Sequence, residues 1–288
     1  MPRRSSSGAG SRSAGKSGGA TTPLPFLSPE YARWSMRPLH ILVFIAPLVV
    51  LYELGTLFYL SSHQGGAQQT IKAHRLVGDF FHAFGVAGVY LPAAVLLTIL
   101  LMWHVISNDR WRVRLWVIGL MLLEAIAWTL PLLVLSAMHT RAVGSGGGAA
   151  AHVAGQLAGP LGSLAAAHDS TTDWLTLPWQ ARVTIAVGAG LYEELLFRFI
   201  GVAFLHFMLR DIARLKEGVA ATIAVVGAAI AFALYHHTRL GTGDLDWPRL
   251  LFLTAAGLYF GMLYILRGFG VVVGTHAIYD VLVLVLLT

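Results

Sequence analysis

Apolar residues run in blocks of about 20 along most of this chain, and polar residues collect between the blocks. A transmembrane helix needs about 20 consecutive apolar residues, so each block predicts one membrane crossing. Seven blocks are long enough, at roughly 40–61, 80–106, 115–138, 180–209, 218–238, 249–266 and 269–287. The pattern therefore predicts an all-α fold, a polytopic membrane helix bundle of about seven transmembrane helices.

The composition supports a protein whose main partner is the lipid bilayer. Of the 288 residues 56% are hydrophobic and only 12% are charged, about half the charged share of a soluble domain. Cysteine is absent, which excludes disulfides, thiolate catalysis and cysteine-ligated metal sites. The net charge of +6 comes from basic residues scattered between apolar blocks, so no nucleic-acid partner is expected.

The chain divides into four segments. Residues 1–36 are rich in Ser, Gly and Arg without periodicity, which predicts a disordered cytoplasmic tail. Residues 37–138 hold three N-terminal transmembrane helices, residues 139–178 form a long loop, and residues 179–288 hold the remaining spans. Basic residues concentrate in the tail and in the loops after spans two and four. This bias predicts a multi-pass protein of the cell membrane with a cytoplasmic N-terminus.

The fourth span carries three charged residues, Glu193, Glu194 and Arg198, within one and a half helical turns. Each charge at the centre of a membrane helix costs roughly 2.5–3.5 kcal/mol, so we interpret the group as part of a functional site. Glu194 and Arg198 share a helix face in the favourable order, which predicts a buried ion pair that braces the site. Glu193 points about 100° away and lacks this partner. It is the candidate general base.

Two later spans contribute histidines at helical spacing. Phe232 and His236 lie four residues apart in the fifth span, and His276 and Asp280 lie four apart in the seventh. An aspartate can orient an imidazole and fix its tautomer; alternatively, both residues are metal ligands. In a simple drawing His236 lies near one end of its span, whereas His276 lies about 10 Å from the opposite membrane face. For the two to meet, helices must tilt or the fifth span must start deeper.

The three motifs, Glu193-Glu194-x-x-x-Arg198, Phe232-x-x-x-His236 and His276-x-x-x-Asp280, resemble those of the CPBP family of intramembrane proteases. This family includes CAAX prenyl proteases and bacteriocin-processing (Abi) proteins, and the resemblance covers roughly residues 179–284. It implies an intramembrane endopeptidase that cleaves a membrane-associated peptide or protein without a covalent intermediate. The sequence leaves open whether that substrate is prenylated.

The resemblance also implies a role for each matched residue. Glu193 and His236 would activate a water molecule, and His276 and Asp280 would stabilise the oxyanion. The supporting residues would be Glu194, Arg198 and Phe232. The family's third motif ends in Asn or Asp, and here it ends in Asp280. An Asn amide donates a hydrogen bond to an oxyanion, whereas an ionised Asp cannot. Asp280 must therefore be protonated, act through His276, or bind a metal.

No cofactor is assigned with certainty. Glu193, His236 and His276 form a three-ligand set for a divalent metal such as zinc. The usual zinc-protease motif His-Glu-x-x-His is missing from the chain, so we favour a metal-independent mechanism.

Two other classes of function compete with the protease. A proton- or ion-coupled transporter also places Glu, Asp and His inside the membrane. Such a transporter would usually show an internal repeat of helices, and none is visible between spans one to three and four to seven. A non-catalytic membrane scaffold or immunity protein could keep the fold with an inactive site. The presence of every expected catalytic residue type favours an enzyme.

Overall fold

The computed structural model of the chain describes residues 28–60, 72–83, 90–144, 177–236, 238–239 and 244–286, and over these residues the fold is all-α. In chain order the helices are α1 (Pro29–Ser35), α2 (Pro38–Gly55), α3 (Lys72–Ala83), α4 (Leu91–Ile106), α5 (Leu115–Gly144), α6 (Trp179–Glu194), α7 (Ala203–Phe207), α8 (Glu217–Tyr235) and α9 (Trp247–Val281). π-Helical segments extend α2 over Thr56–Leu60, join α6 to α7 over Leu195–Val202, extend α7 over Met208–Ile212 and follow α9 over Leu282–Leu286.

The prediction of an all-α membrane helix bundle is confirmed. Four helical stretches among the described residues are long and apolar enough to cross a membrane: Pro38–Leu60, Leu115–Arg141, Glu217–Tyr235 and Trp247–Leu286. The last stretch bends at Gly268, whose φ of 81° and ψ of 177° are left-handed values that favour glycine. This bend divides α9 into α9a (residues 247–267) and α9b (residues 269–281), close to the predicted spans six and seven.

The N-terminal part of the chain differs from the prediction in two places. The span expected at 80–106 begins as helix α4 only at Leu91, with Pro92 in the first turn, where its missing N–H is tolerated. Residues 80–83 of the expected span belong instead to α3, which buries Ala73 and Val77 and exposes Asp79. The expectation of disorder through residue 36 is wrong for residues 29–35, which form α1. Residues 1–27, and residues 145–176 of the predicted long loop, lie outside the described residues.

Helix α1 is held by a buried polar cluster. Ser28 caps the helix by accepting a hydrogen bond from the Tyr31 N–H. Tyr31 is fully buried, and its hydroxyl donates to Glu124 of α5 at 2.5 Å. Burial and then this hydrogen bond raise the pKa of Tyr31, so the hydroxyl keeps its proton. Arg267 donates to both oxygens of Glu124. The cluster thereby ties α1 to the residue that precedes the bend at Gly268.

Helix α9b lies at the centre of the bundle. Its residues from Phe269 to Ala277 are all buried, as expected for a mainly apolar helix surrounded by other helices. Helix α9 packs against α5, α6 and α8. The central position of α9b brings its polar residues against the charged residues at the end of α6.

A long helical hairpin sets the depth of His236. The helical stretch that begins at Trp179 continues to Ile212, and α8 starts five residues later and runs back beside it. Glu193 lies nineteen residues before Ile212, and His236 lies nineteen residues after Glu217. The two therefore reach the same level of the hairpin. Helix α8 ends at the depth of Glu193, which removes the mismatch that the simple drawing of seven spans produces.

Candidate active site

The structure brings every candidate catalytic residue into one buried site. Glu193 and Glu194 end α6, Arg198 lies in the following π-helical segment, His236 ends α8, and His276 and Asp280 lie on α9b. Each of these residues is exposed by 3% or less. Six ionisable side chains removed from water must satisfy one another, and the contacts described below show how they do so.

Glu194 is the centre of the ionic contacts. One of its carboxylate oxygens accepts a hydrogen bond from Arg198 Nη1 at 2.8 Å and a second from His276 Nδ1 at 2.6 Å. The predicted pair between Glu194 and Arg198 is therefore present. The sequence does not reveal the additional role of Glu194, which is to hold the ring of His276.

Arg198 is enclosed by helix α9a and by aromatic rings. Its Nη2 donates to the carbonyl oxygen of Gly257 at 3.3 Å. Its guanidinium carbon lies 4.3 Å from the ring centroid of Phe232 and 5.1 Å from that of Phe260. These are cation–π distances. The guanidinium is thus fixed on several sides, as a bracing residue requires.

His276 lies between carboxylates on both of its ring nitrogens. Because Glu194 accepts at Nδ1, that nitrogen carries a proton. Nε2 lies 3.4 Å from Oδ2 of Asp280 and 4.0 Å from Oε2 of Glu193. The ring also stacks on Phe260 at a centroid distance of 4.5 Å and an angle of 20°. Nε2 is therefore aimed into the space between Glu193 and Asp280.

His236 presents a lone pair to Glu193. It caps the end of α8 with extended backbone, and its Nδ1 is 2.7 Å from the carbonyl oxygen of Phe232. A carbonyl can only accept, so Nδ1 carries the proton, and in the neutral ring Nε2 has the free lone pair. This Nε2 lies 3.7 Å from Oε2 of Glu193. His237, the next residue in the chain, lies outside the described residues.

Three residues that contribute to the site are not part of the three sequence motifs. Phe260 stacks on His276, and the carbonyl of Gly257 holds Arg198. At Gly190 a Cβ atom would lie only 2.7 Å from the backbone nitrogen of Ala277. The small-residue spacing of Gly257 and Gly261 indicates close helix packing, but no pattern in the sequence assigns these residues to the site.

The proposed metal ligands are not arranged as a metal site. Within the described part of the chain, no group of three or more His, Asp or Glu side chains is placed to hold a metal ion. His276 directs Nδ1 to Glu194 and Nε2 towards Asp280. Its nitrogens are thus placed as hydrogen-bond donors to carboxylates, whereas a metal ligand needs a free lone pair. The donor set does not fit zinc in this arrangement.

The close approach of α6 and α9b at Gly190 gives a testable prediction. Gly190→Ala adds a methyl group against the backbone beside His276, so the two helices must separate and Glu193 must move relative to His276. A misplacement of about 1 Å costs roughly 100-fold in rate, and we expect a loss of this size in peptide cleavage. Gly119→Ala in α5 is the matched control, because its added Cβ meets nothing within 4 Å. Equal activity of the two variants would contradict the prediction.

An apolar helix bundle that buries carboxylates and histidines at its centre has the character of an intramembrane enzyme. Residues 175–282 match the family model described as Type II CAAX prenyl endopeptidase Rce1-like, and this stretch contains all three motifs. The C-terminal part of the chain is therefore a protease domain of the CPBP family. The enzyme is a hydrolase, a CAAX-type endopeptidase of the membrane that acts on membrane-associated protein substrates. No curated protein and no solved structure gives a significant match to the chain.

Proposed function

We propose that this enzyme hydrolyses a peptide bond with a water molecule activated by Glu193 and His236, without a covalent intermediate. One observation carries the proposal: Oε2 of Glu193 and Nε2 of His236 lie 3.7 Å apart. Both atoms are hydrogen-bond acceptors, and a contact of this length suits a bridging water. A water that donates to both has its oxygen lone pairs free for attack on a carbonyl carbon.

The remaining contacts supply the other roles of the reaction. Glu193 takes a proton from the attacking water and passes it to the leaving amine, which is general base and then general acid catalysis. His276, whose Nε2 lies 4.0 Å from Oε2 of Glu193, offers its Nε2–H to the developing oxyanion in a site that excludes bulk water. Glu194 fixes the direction of that donor by accepting from Nδ1. Because both ring nitrogens then carry a proton, His276 acts as the positively charged ring.

In this mechanism Asp280 acts through His276. The carboxylate lies 3.4 Å from Nε2 of that residue and favours the positively charged ring, which is the stronger donor to an oxyanion. Glu194, Arg198 and Phe232 keep the supporting roles that the sequence assigns to them. The substrate is a membrane-anchored peptide or protein, and the enzyme is a multi-pass protein of the cell membrane with its N-terminus in the cytoplasm.

Replacement of Asp280 by Asn tests the mechanism at the third motif. We expect Asp280→Asn to keep much of the activity, within about tenfold of wild type, because an Asn amide donates directly to the oxyanion. The purified enzyme in lipid vesicles would be given a membrane-anchored peptide, with product measured by mass spectrometry in the presence and absence of a strong chelator. The expected cleavage is insensitive to the chelator in both proteins.

A metal-dependent mechanism predicts the opposite results. If Asp280 ligates a metal, the Asn variant loses a carboxylate ligand and with it both metal affinity and activity. Cleavage that stops with chelator and returns with added zinc would overturn the proposal.

A further inference from the structure

The register of two helices places an arginine beside the catalytic histidine. Helices α8 and α9a are antiparallel: a Cβ at Gly257 would lie 3.0 Å from Cα of Ala229, and one at Gly261 would lie 2.8 Å from the side chain of Val225. Seven residues before Gly257 is Leu250, next to Arg249, and seven residues after Ala229 is His236. Arg249 therefore lies at the level of His236.

The start of α9a keeps Arg249 in this position. Asp246 caps the helix by accepting a hydrogen bond from the Arg249 N–H at 3.1 Å. The N–H of Asp246 in turn donates to the carbonyl of Thr238 at 2.8 Å, and this hydrogen bond joins the segment after α8 to the start of α9a. Arg249 is thus a half-buried cation that interacts electrostatically with both His236 and Asp246.

A histidine of helix α5, His139, lies beside the start of α9a. His139 of α5 stacks on Phe252 at a centroid distance of 4.8 Å and an angle of 19°. Phe252 lies one helical turn after Arg249, and His139 interacts electrostatically with both Arg249 and Asp246. His139 is half-buried as well. Arg249 and His139, which come from different helices, therefore lie close together outside the three sequence motifs.

We propose that Arg249, assisted by His139, binds the C-terminal carboxylate of the substrate peptide. The inference rests on the proposed function. A CAAX sequence is a C-terminal motif, so cleavage after its cysteine leaves three residues that end in a carboxylate. Three extended residues span about 10 Å, so the group that holds this carboxylate belongs outside the contact between Glu193 and His236, and Arg249 at the start of α9a is our candidate. A guanidinium matches a carboxylate with two parallel hydrogen bonds.

The experiment compares a membrane-anchored CAAX peptide with its C-terminal amide, which has the same sequence without the charge. Wild-type enzyme is expected to cleave the free acid with a kcat/KM about 10- to 100-fold above that of the amide, the range for hydrogen bonds to a charged group. Arg249→Gln is expected to lose this preference by raising KM for the acid, with the amide cleaved as by wild type. Arg141→Gln is the matched control, an exposed arginine near His139 on α5, and should keep the preference.

The other outcomes distinguish failure of the carboxylate subsite from failure of the proposed function. Equal cleavage of acid and amide by wild type overturns the carboxylate subsite alone, whereas cleavage of neither peptide overturns the proposed function with it. Equal loss on both peptides in Arg249→Gln assigns Arg249 a structural role and also overturns the inference. If that variant does not fold, Arg249→Lys serves instead, because it keeps the charge and loses the paired hydrogen bonds. It should retain a reduced preference for the acid, and an unchanged preference would contradict the inference.

Discussion

Glu193→Gln is expected to lower peptide cleavage by a factor of at least about 100, within the range that general acid–base catalysis contributes. The amide has nearly the shape of the carboxylate but cannot take the proton of the attacking water. Glu193 accepts no salt bridge from Arg198, whose partner is Glu194, so the substitution leaves the bracing ion pair intact. Cleavage of a membrane-anchored peptide by the purified variant in vesicles measures the effect.

The control for this variant is the same chemical change far from the site. Glu217 begins α8, is exposed and pairs with Arg210, so Glu217→Gln should insert and cleave like wild type. Both variants should give the wild-type yield and thermal unfolding curve. Cleavage by Glu193→Gln at a near-native rate would remove Glu193 from the role of general base.

Arg198→Ala is expected to destabilise the protein by about 3–5 kcal/mol, the usual cost of removing one partner of a buried ion pair. Arg198 is 1% exposed and Glu194 is fully buried, so the remaining carboxylate would have no compensating guanidinium. Activity should fall as well, because Glu194 holds His276. Thermal unfolding in detergent and cleavage in vesicles give the two measurements.

Two further variants test whether the loss of stability comes from breaking the buried ion pair or from removing any arginine charge. Arg210→Ala breaks the exposed pair with Glu217 and should leave the unfolding temperature unchanged, since exposed pairs contribute little. The double variant Glu194→Leu/Arg198→Met removes both buried charges and should recover part of the lost stability. It should stay inactive because His276 loses the acceptor of its Nδ1 proton. An Arg198→Ala protein as stable as wild type would show that the pair is no brace.

Local patterns in the sequence predict the helices and the pairings within one helix. The length of each apolar block defines the spans around α2, α5 and α8, because crossing a membrane demands a minimum length. Spacing of four residues predicts the contact between Glu194 and Arg198, since such residues share a helix face. For the same reason His276 and Asp280 lie on one face of α9b, at 3.4 Å.

Contacts between distant segments could not be predicted in this way. Glu194 and His276 are 82 positions apart, and Tyr31 and Glu124 are 93 apart. The first contact decides which carboxylate orients the imidazole, and the second joins α1 to α5. The depth of His236 in the bundle depends on how far the helical stretch after α6 extends before the chain reverses into α8. The close approach at Gly190 depends on packing against α9b, which no pattern within α6 encodes.

The central claim is that the buried site hydrolyses a membrane-anchored peptide with water. The most direct test is the mass spectrum of products from the purified full-length enzyme in lipid vesicles, given a prenylated peptide with a C-terminal CAAX sequence in ¹⁸O-labelled water. The account predicts a prenylated product that ends at the cysteine and carries one ¹⁸O atom in its new carboxyl group, together with the released three-residue peptide, and neither product from Glu193→Gln. An intact peptide with the wild-type enzyme, or the same products at the same rate from Glu193→Gln, would contradict it.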